Sequence, residues 1–152
     1  MMITLRDITN DNFRECINLK VADEQRGFVA SNMFSLAEAK ADSVSNPYAI
    51  YADEQMVGFI MYDFNPQESR GYITRLMIDE KHQGNGYGYA AMQRVIDRLK
   101  AIDECHEIQT SYVPANVAAA TLYASLGFAQ TGEVNEGETV VRMSANCGNT
   151  SR

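Results

Sequence analysis

Between residues 82 and 89 the chain reads His82-Gln83-Gly84-Asn85-Gly86-Tyr87-Gly88-Tyr89, with three glycines alternating with larger residues. The apolar run "YITRLMI" precedes this stretch, and "AAMQRVIDRLK", apolar at helical spacing, follows it. A strand, a glycine turn and a helix in that order constrain the fold more than any other segment. Glycine permits positive φ and lets a backbone approach a ligand closely. A helix N-terminus carries unpaired N–H groups and the positive end of the helix dipole. Together they make an anion site, best suited to phosphate. A bare turn needs fewer glycines, and inside a helix each costs about 0.5–1 kcal/mol relative to alanine. The P-loop is excluded, because no Gly-Lys-Ser/Thr follows. The dinucleotide pattern G-x-G-x-x-G fails from Gly84, where its last position is Tyr89. From Gly86 through Gly88 to Ala91 the alanine variant fits by spacing. It lies mid-chain after a β-meander, however, and not in an opening βαβ unit.

The rest of the chain divides around this loop. "MITLRDI" reads as a first strand, and "TNDN" offers an N-cap for a helix over "FRECINLK". Ser35 is placed to cap a second helix, "LAEAKADS", with Glu38 at the capping-box position. Asn46-Pro47 reads as a break. "YAIYA" and "MVGFIMYDF" form a hairpin across Asp53-Glu54-Gln55, and "YITRLMI" completes a meander after "NPQESRG". A helix is expected from about Tyr87 to Lys100, then a strand "EIQTSYV" ended by Pro114. "NVAAATLYASLG" reads as a helix stopped by Gly127. "FAQTGEV" and "TVVRMS" close as a hairpin around Asn135-Glu136-Gly137. One domain over 1–145 is expected, followed by a disordered polar tail at 146–152.

Composition narrows the class. Hydrophobic residues are 45% and charged residues 22% of 152, as in soluble globular proteins. No apolar run approaches the roughly 18 residues of a membrane span, and the N-terminus has no signal-like pattern. The three cysteines, Cys16, Cys105 and Cys147, show no C-x-x-C spacing and read as free thiols in a reducing cytoplasm. His82 and His106 have no neighbours at metal-ligand spacing, so no metal site is expected. The net charge of −7 disfavours nucleic acid and mildly favours cationic partners.

Two motifs carry a family resemblance. Gln83, Gly86 and Gly88 meet the pattern Gln-x-x-Gly-x-Gly, which resembles the acyl-CoA pyrophosphate loop of the GNAT superfamily of N-acetyltransferases. About 30 residues later, "NVAAATLYASLGF" resembles that superfamily's second motif, with Asn116, Ala119, Leu122, Tyr123 and Gly127-Phe128 in place. The resemblance covers about residues 3–144 and implies the GNAT fold, an α/β (α+β) arrangement. Its central sheet would be mixed and mostly antiparallel, with helices on both faces. "VADEQRGFVASNMFSLAEA" and the segments after it further resemble the bacterial spermine/spermidine acetyltransferase branch.

The resemblance implies acetyl transfer from acetyl-CoA to a primary amine of a small molecule, with a polyamine as the leading substrate. Backbone N–H groups of Gly84, Gly86, Tyr87, Gly88 and Tyr89 would hold the pyrophosphate. Backbone groups of Met77 and Ile78 would pair with the pantetheine arm, and the Asn116 amide would hold it. Tyr123 would be the general acid for the leaving thiolate, aided by the last helix's N-terminal dipole. Polyamine enzymes of the superfamily carry a carboxylate where Thr74 stands here, and a hydroxyl is no base at neutral pH. A water held by Thr74 and the Tyr112 region could then relay the proton. Asp23, Glu24 or Glu136 could lie at the amine mouth, and Gln25, Phe28 and Asn32 are pocket candidates by resemblance. Acetylation of a protein N-terminus and a non-catalytic acyl-CoA-binding domain stand as alternatives. A homodimer is the assembly considered.

Overall fold

The computed structural model describes residues 2–145, so the polar tail at 146–152 lies outside the described residues. The chain runs β1 (Ile3–Asp7), α1 (Phe13–Asn18), α2 (Asn32–Asp42), β2 (Asn46–Ala52), β3 (Gln55–Asn65) and β4 (Arg70–Ile78). Then follow α3 (Tyr87–Lys100), β5 (Glu107–Tyr112), α4 (Val117–Ser125), β6 (Ala129–Asn135) and β7 (Glu138–Ser144). The strands form one seven-stranded sheet in the order β1-β2-β3-β4-β5-β7-β6. Every pairing is antiparallel except β4 with β5.

Strand alternation sends apolar side chains to both faces of this sheet, so both need cover. Ile50, Val57 and Ile60 join a core with Met92, Val95, Ile96 and Leu99 of α3. Those α3 residues follow helical spacing, and burying each contributes about 1.5–3 kcal/mol. Ala49, Tyr51, Phe59, Met61 and Met77 form the opposite core with Cys16 of α1 and Leu36 and Ala39 of α2. The expected fold class is therefore what the chain adopts.

Two local expectations are corrected. Ser31, not Ser35, caps α2: its Oγ accepts from the Phe34 N–H at 3.1 Å. Ser35 is buried, and its hydroxyl donates to the Ser31 carbonyl. Asn46-Pro47 does not break the chain but begins β2. Strand β1 pairs β2 only from Tyr48 onward, so the missing proline N–H deprives no partner there.

The feature that positions the site is a fork between β4 and β5. They pair only at Arg70↔Glu107, Gly71↔Ile108 and Tyr72↔Gln109. Arg70 clamps the closed end, with its Nη2 2.8 Å from Glu107 Oε2. Beyond it, β3 and β4 slip register between Met61 and Tyr62, which leaves Thr74 as an extra residue on β4. Such a bulge bends and twists its strand, here at the point where β4 leaves β5. At the crotch the buried Thr110 hydroxyl donates to the Ile73 carbonyl at 2.8 Å, taking the place of a ladder bond.

Thr110→Val keeps the shape and removes that donor, leaving the Ile73 carbonyl unpaired. The expected cost is about 1–3 kcal/mol in a urea titration. An unchanged midpoint would show that the fork does not depend on this bond.

Candidate active site

The fork opens a cleft of about 570 Å³. One wall is the segment Gln83–Tyr89 with the start of α3, and another is α4 through Asn116, Ala119, Leu122 and Tyr123. Gln25, Phe28 and Val29, between α1 and α2, line it from the other side of the sheet, as do Thr74, Ser111, Glu136 and Glu138. The cleft therefore runs through the sheet, from the α3/α4 face to the α1/α2 face.

The glycine loop takes its shape from two left-handed residues, Gly84 at φ 83° and Gly86 at φ 79°. Gly86 is the residue from which α3 starts. Gly88 serves another end. A Cβ there would enter the cleft 3.6 Å from Leu122 and 3.9 Å from Leu76 and Ile78, at ordinary contact distance. Its absence leaves room between the helix N-terminus and an apolar groove. An anion at the α3 N-terminus with an alkyl-amide arm beyond it fits this cradle, so the residues present suit coenzyme A.

The open edge of β4 supplies backbone partners for such an arm, with one correction. The Asp79 N–H donates to Val57 of β3, so by alternation the Ile78 N–H and carbonyl face the open edge. Met77 faces the other way: a Cβ on Gly58 of β3 would collide with the Met77 carbonyl. The groups on the open edge are therefore those of Ile78 and Leu76, not Met77. The Ile78 carbonyl already accepts from Gln83 Nε2 at 2.9 Å. Gln83 and Gln25 exchange side-chain amide bonds at 2.8 and 3.3 Å, which joins the α1–α2 loop to the glycine loop.

Asn116 caps α4, its Oδ1 accepting from the Ala119 N–H at 3.1 Å, which leaves the amide nitrogen for a ligand. At the other end of α4 the chain closes as a Schellman turn. The Phe128 N–H donates to the Tyr123 carbonyl and the Gly127 N–H to that of Ala124, with Gly127 at φ 105°. This turn folds Phe128 onto Tyr123 with ring centroids 5.9 Å apart, and Tyr112 packs on the same ring at 6.0 Å. Tyr123 is 7% exposed. Burial pushes its phenol up to about 12; the Thr110 hydroxyl pulls the other way and the Glu138 charge raises it further. The expected help from the α4 dipole is not seen, because Tyr123 lies late in the helix and burial dominates. The phenol holds its proton at neutral pH and can donate it.

Other candidates are placed differently. Thr74, Tyr112, Gln25 and Phe28 line the cleft. The Thr74 hydroxyl donates to the Met61 carbonyl at 3.2 Å, across the bulge. Asn32 does not reach the cleft: it is buried, with Nδ2 donating to the Cys16 carbonyl at 2.9 Å. Glu24 and Asp23 lie outside the lining, and Asp23 pairs with Arg26. Ser111 and Thr110 were not singled out from the sequence, and Glu138 only as one carboxylate of "NEGE" at 135–138, a segment resembling the substrate side of the polyamine branch. Only the β5–β7 register shows that they share the fork. Among the described residues no group of His, Cys, Asp and Glu could hold a metal ion.

Residues 3–128 match the model of the Acetyltransferase (GNAT) family. The chain belongs to this family. It is an acetyl-CoA-dependent N-acetyltransferase. It is 30% identical over 148 residues to the spermine/spermidine N(1)-acetyltransferase of Bacillus subtilis strain 168, covering 93% of this chain and 97% of that one. Two solved structures share the fold. One is Vibrio cholerae spermidine N-acetyltransferase in complex with CoA and spermine (TM-score 0.75, 20% identity, 95% and 96% of the chains). The other is a dodecameric structure of that enzyme in an intermediate state (TM-score 0.74, 18% identity, 98% and 97%). Among the described residues no helix is long and apolar enough to cross a membrane.

Gly88→Val should fold, because its Cβ meets only ordinary contacts, yet fill the cradle. Overpacking of about 1–3 kcal/mol would raise the KM for acetyl-CoA about tenfold, at 1.4 kcal/mol per decade. A folded variant with wild-type KM would remove the cradle from the binding site.

Proposed function

We propose that the protein acetylates a primary amine of a polyamine such as spermine or spermidine. One observation carries this reading: a single cleft joins the glycine loop on one face to a mouth bearing Glu136 and Glu138 on the other. Similarity to the Bacillus subtilis enzyme along nearly the whole chain supports it. Acetyl-CoA supplies an activated acyl group on a good leaving thiolate. The N–H groups of Gly84, Gly86, Tyr87, Gly88 and Tyr89 hold its pyrophosphate. The open edge of β4 and the Asn116 amide orient the arm so that the carbonyl sits in the fork. Gln25 and Phe28 flank the incoming amine, with Tyr112 below, and carboxylates at the mouth attract its distal ammoniums. The homodimer considered above extends in this reading to larger assemblies, as the Vibrio cholerae enzyme has a dodecameric structure.

Tyr123 donates to the departing sulfur. With the phenol at about 12 and a thiol near 8.5, complete transfer is uphill by on the order of 5 kcal/mol. The proton therefore moves late, along a hydrogen bond that strengthens as charge builds on sulfur. Tyr123→Phe keeps the ring packed and removes the proton. It should lower kcat by about 10²–10⁴ with acetyl-CoA binding intact. Wild-type turnover would reduce Tyr123 to a core residue.

The substrate class is tested by kcat/KM for spermine, spermidine and a monoamine of similar length, at low and high salt. Charges at an exposed mouth are screened over about 8 Å at physiological ionic strength. The polyamines should be preferred, and the preference should shrink with salt. Equal use of the monoamine with no salt effect would overturn the polyamine reading.

A further inference from the structure

We propose that Glu138 takes the proton from the acceptor nitrogen, held for that task by Ser111. This rests on the reading above that the cleft acetylates an amine. The position on β4 where a carboxylate was expected is Thr74, whose hydroxyl is engaged by Met61 across the bulge. The base must then come from another element. Glu136 and Glu138 are the only carboxylates lining the cleft among the described residues.

The two differ in how they are held. Glu136 sits on the β6–β7 turn at φ 51° and is exposed. Glu138 is the first residue of β7, half-buried, and paired through the backbone with Asn135. The Ser111 hydroxyl donates to Glu138 Oε1 at 2.7 Å. That bond fixes the carboxylate on the acceptor side of the fork and leaves Oε2 for the substrate. Among the described residues Arg75 is the only arginine or lysine lining the cleft, and its guanidinium is on Glu38 at 2.8 Å and Ser35 at 3.1 Å, both on α2. It does not neutralise Glu138. The remaining titratable groups of the lining are His82, Tyr87 and Tyr89 at the loop, Tyr112, and Tyr123. The charge of Glu138 is felt at the Tyr123 phenol, so base and acid share one compartment.

The protons balance across this pair. The amine enters neutral, its extra proton lost to solvent. The C–N bond forms and the C–S bond breaks. The proton on the now cationic nitrogen passes to Glu138, and the Tyr123 O–H proton passes to sulfur. The carboxylic acid then returns its proton to the Tyr123 phenolate, a much stronger base than a carboxylate. Both residues return to their starting forms without an outside acid or base.

Glu138→Gln tests this, because it keeps an acceptor for Ser111 and loses the base. The amine is whichever the wild type uses best among spermine, spermidine and a monoamine. Loss of a positioned base should lower kcat by about 10²–10⁴ at neutral pH. Calorimetric acetyl-CoA affinity should be unchanged, and Glu138→Asp should recover part of the rate. The deficit should shrink as pH approaches 10, where hydroxide can take the proton from the cationic nitrogen in place of Glu138. An unchanged kcat, or a loss of equal size at every pH with weakened acetyl-CoA binding, would overturn the proposal. A wild type that prefers the monoamine would refute the polyamine reading alone, and the same comparison would still decide Glu138.

Discussion

The site depends on β4 and β5 pairing for three residues and then parting. Had the two strands stayed paired to their ends, the sheet would be closed and no cleft could cross it. The separation has two local causes that lie side by side. The extra residue at Thr74 bends β4, and the Thr110 hydroxyl satisfies the Ile73 carbonyl where the ladder stops. Beyond that point one edge of β4, at Leu76 and Ile78, faces no strand among the described residues, and the Ile78 carbonyl there accepts from Gln83. A free edge inside a protein is costly unless something pairs with it. Here it faces the groove beside Gly88, which suits an amide-bearing arm. The same opening exposes Ser111 and Glu138 to the cleft.

The second motif acts through helix-end chemistry. Asn116 starts α4, and Gly127 ends it in a left-handed turn that no β-branched residue would accept. That turn, not the helix itself, lays Phe128 on Tyr123. The aromatic enclosure desolvates the phenol and so raises it. The Tyr123 phenol is thereby kept protonated over the whole neutral range.

Much of this was legible in the sequence. Strong periodicity located α3, and glycine and asparagine located the loop and both ends of α4. The meander and closing hairpin followed from alternation and turn residues. What was not legible depended on register. Whether Met77 or Ile78 shows its backbone to the groove turns on a single-residue parity that a bulge nearby resets. Ser111 and Glu138 are 27 positions apart and meet only through β5–β7 pairing. Asn32 was a pocket candidate by resemblance, not by any pattern of its own. Its amide is consumed by the Cys16 carbonyl, a partner no local pattern announces.

A cleft that crosses the sheet implies two ligands meeting from opposite faces. Amide NMR titrations of one labelled sample, with coenzyme A and then with spermidine, read this directly. Coenzyme A should shift Leu76, Ile78, Gly84–Tyr89 and Asn116 first, and spermidine should then shift Gln25, Phe28, Ser111 and Glu136–Glu138. Shifts from both ligands confined to the same face would contradict a cleft with separate donor and acceptor mouths.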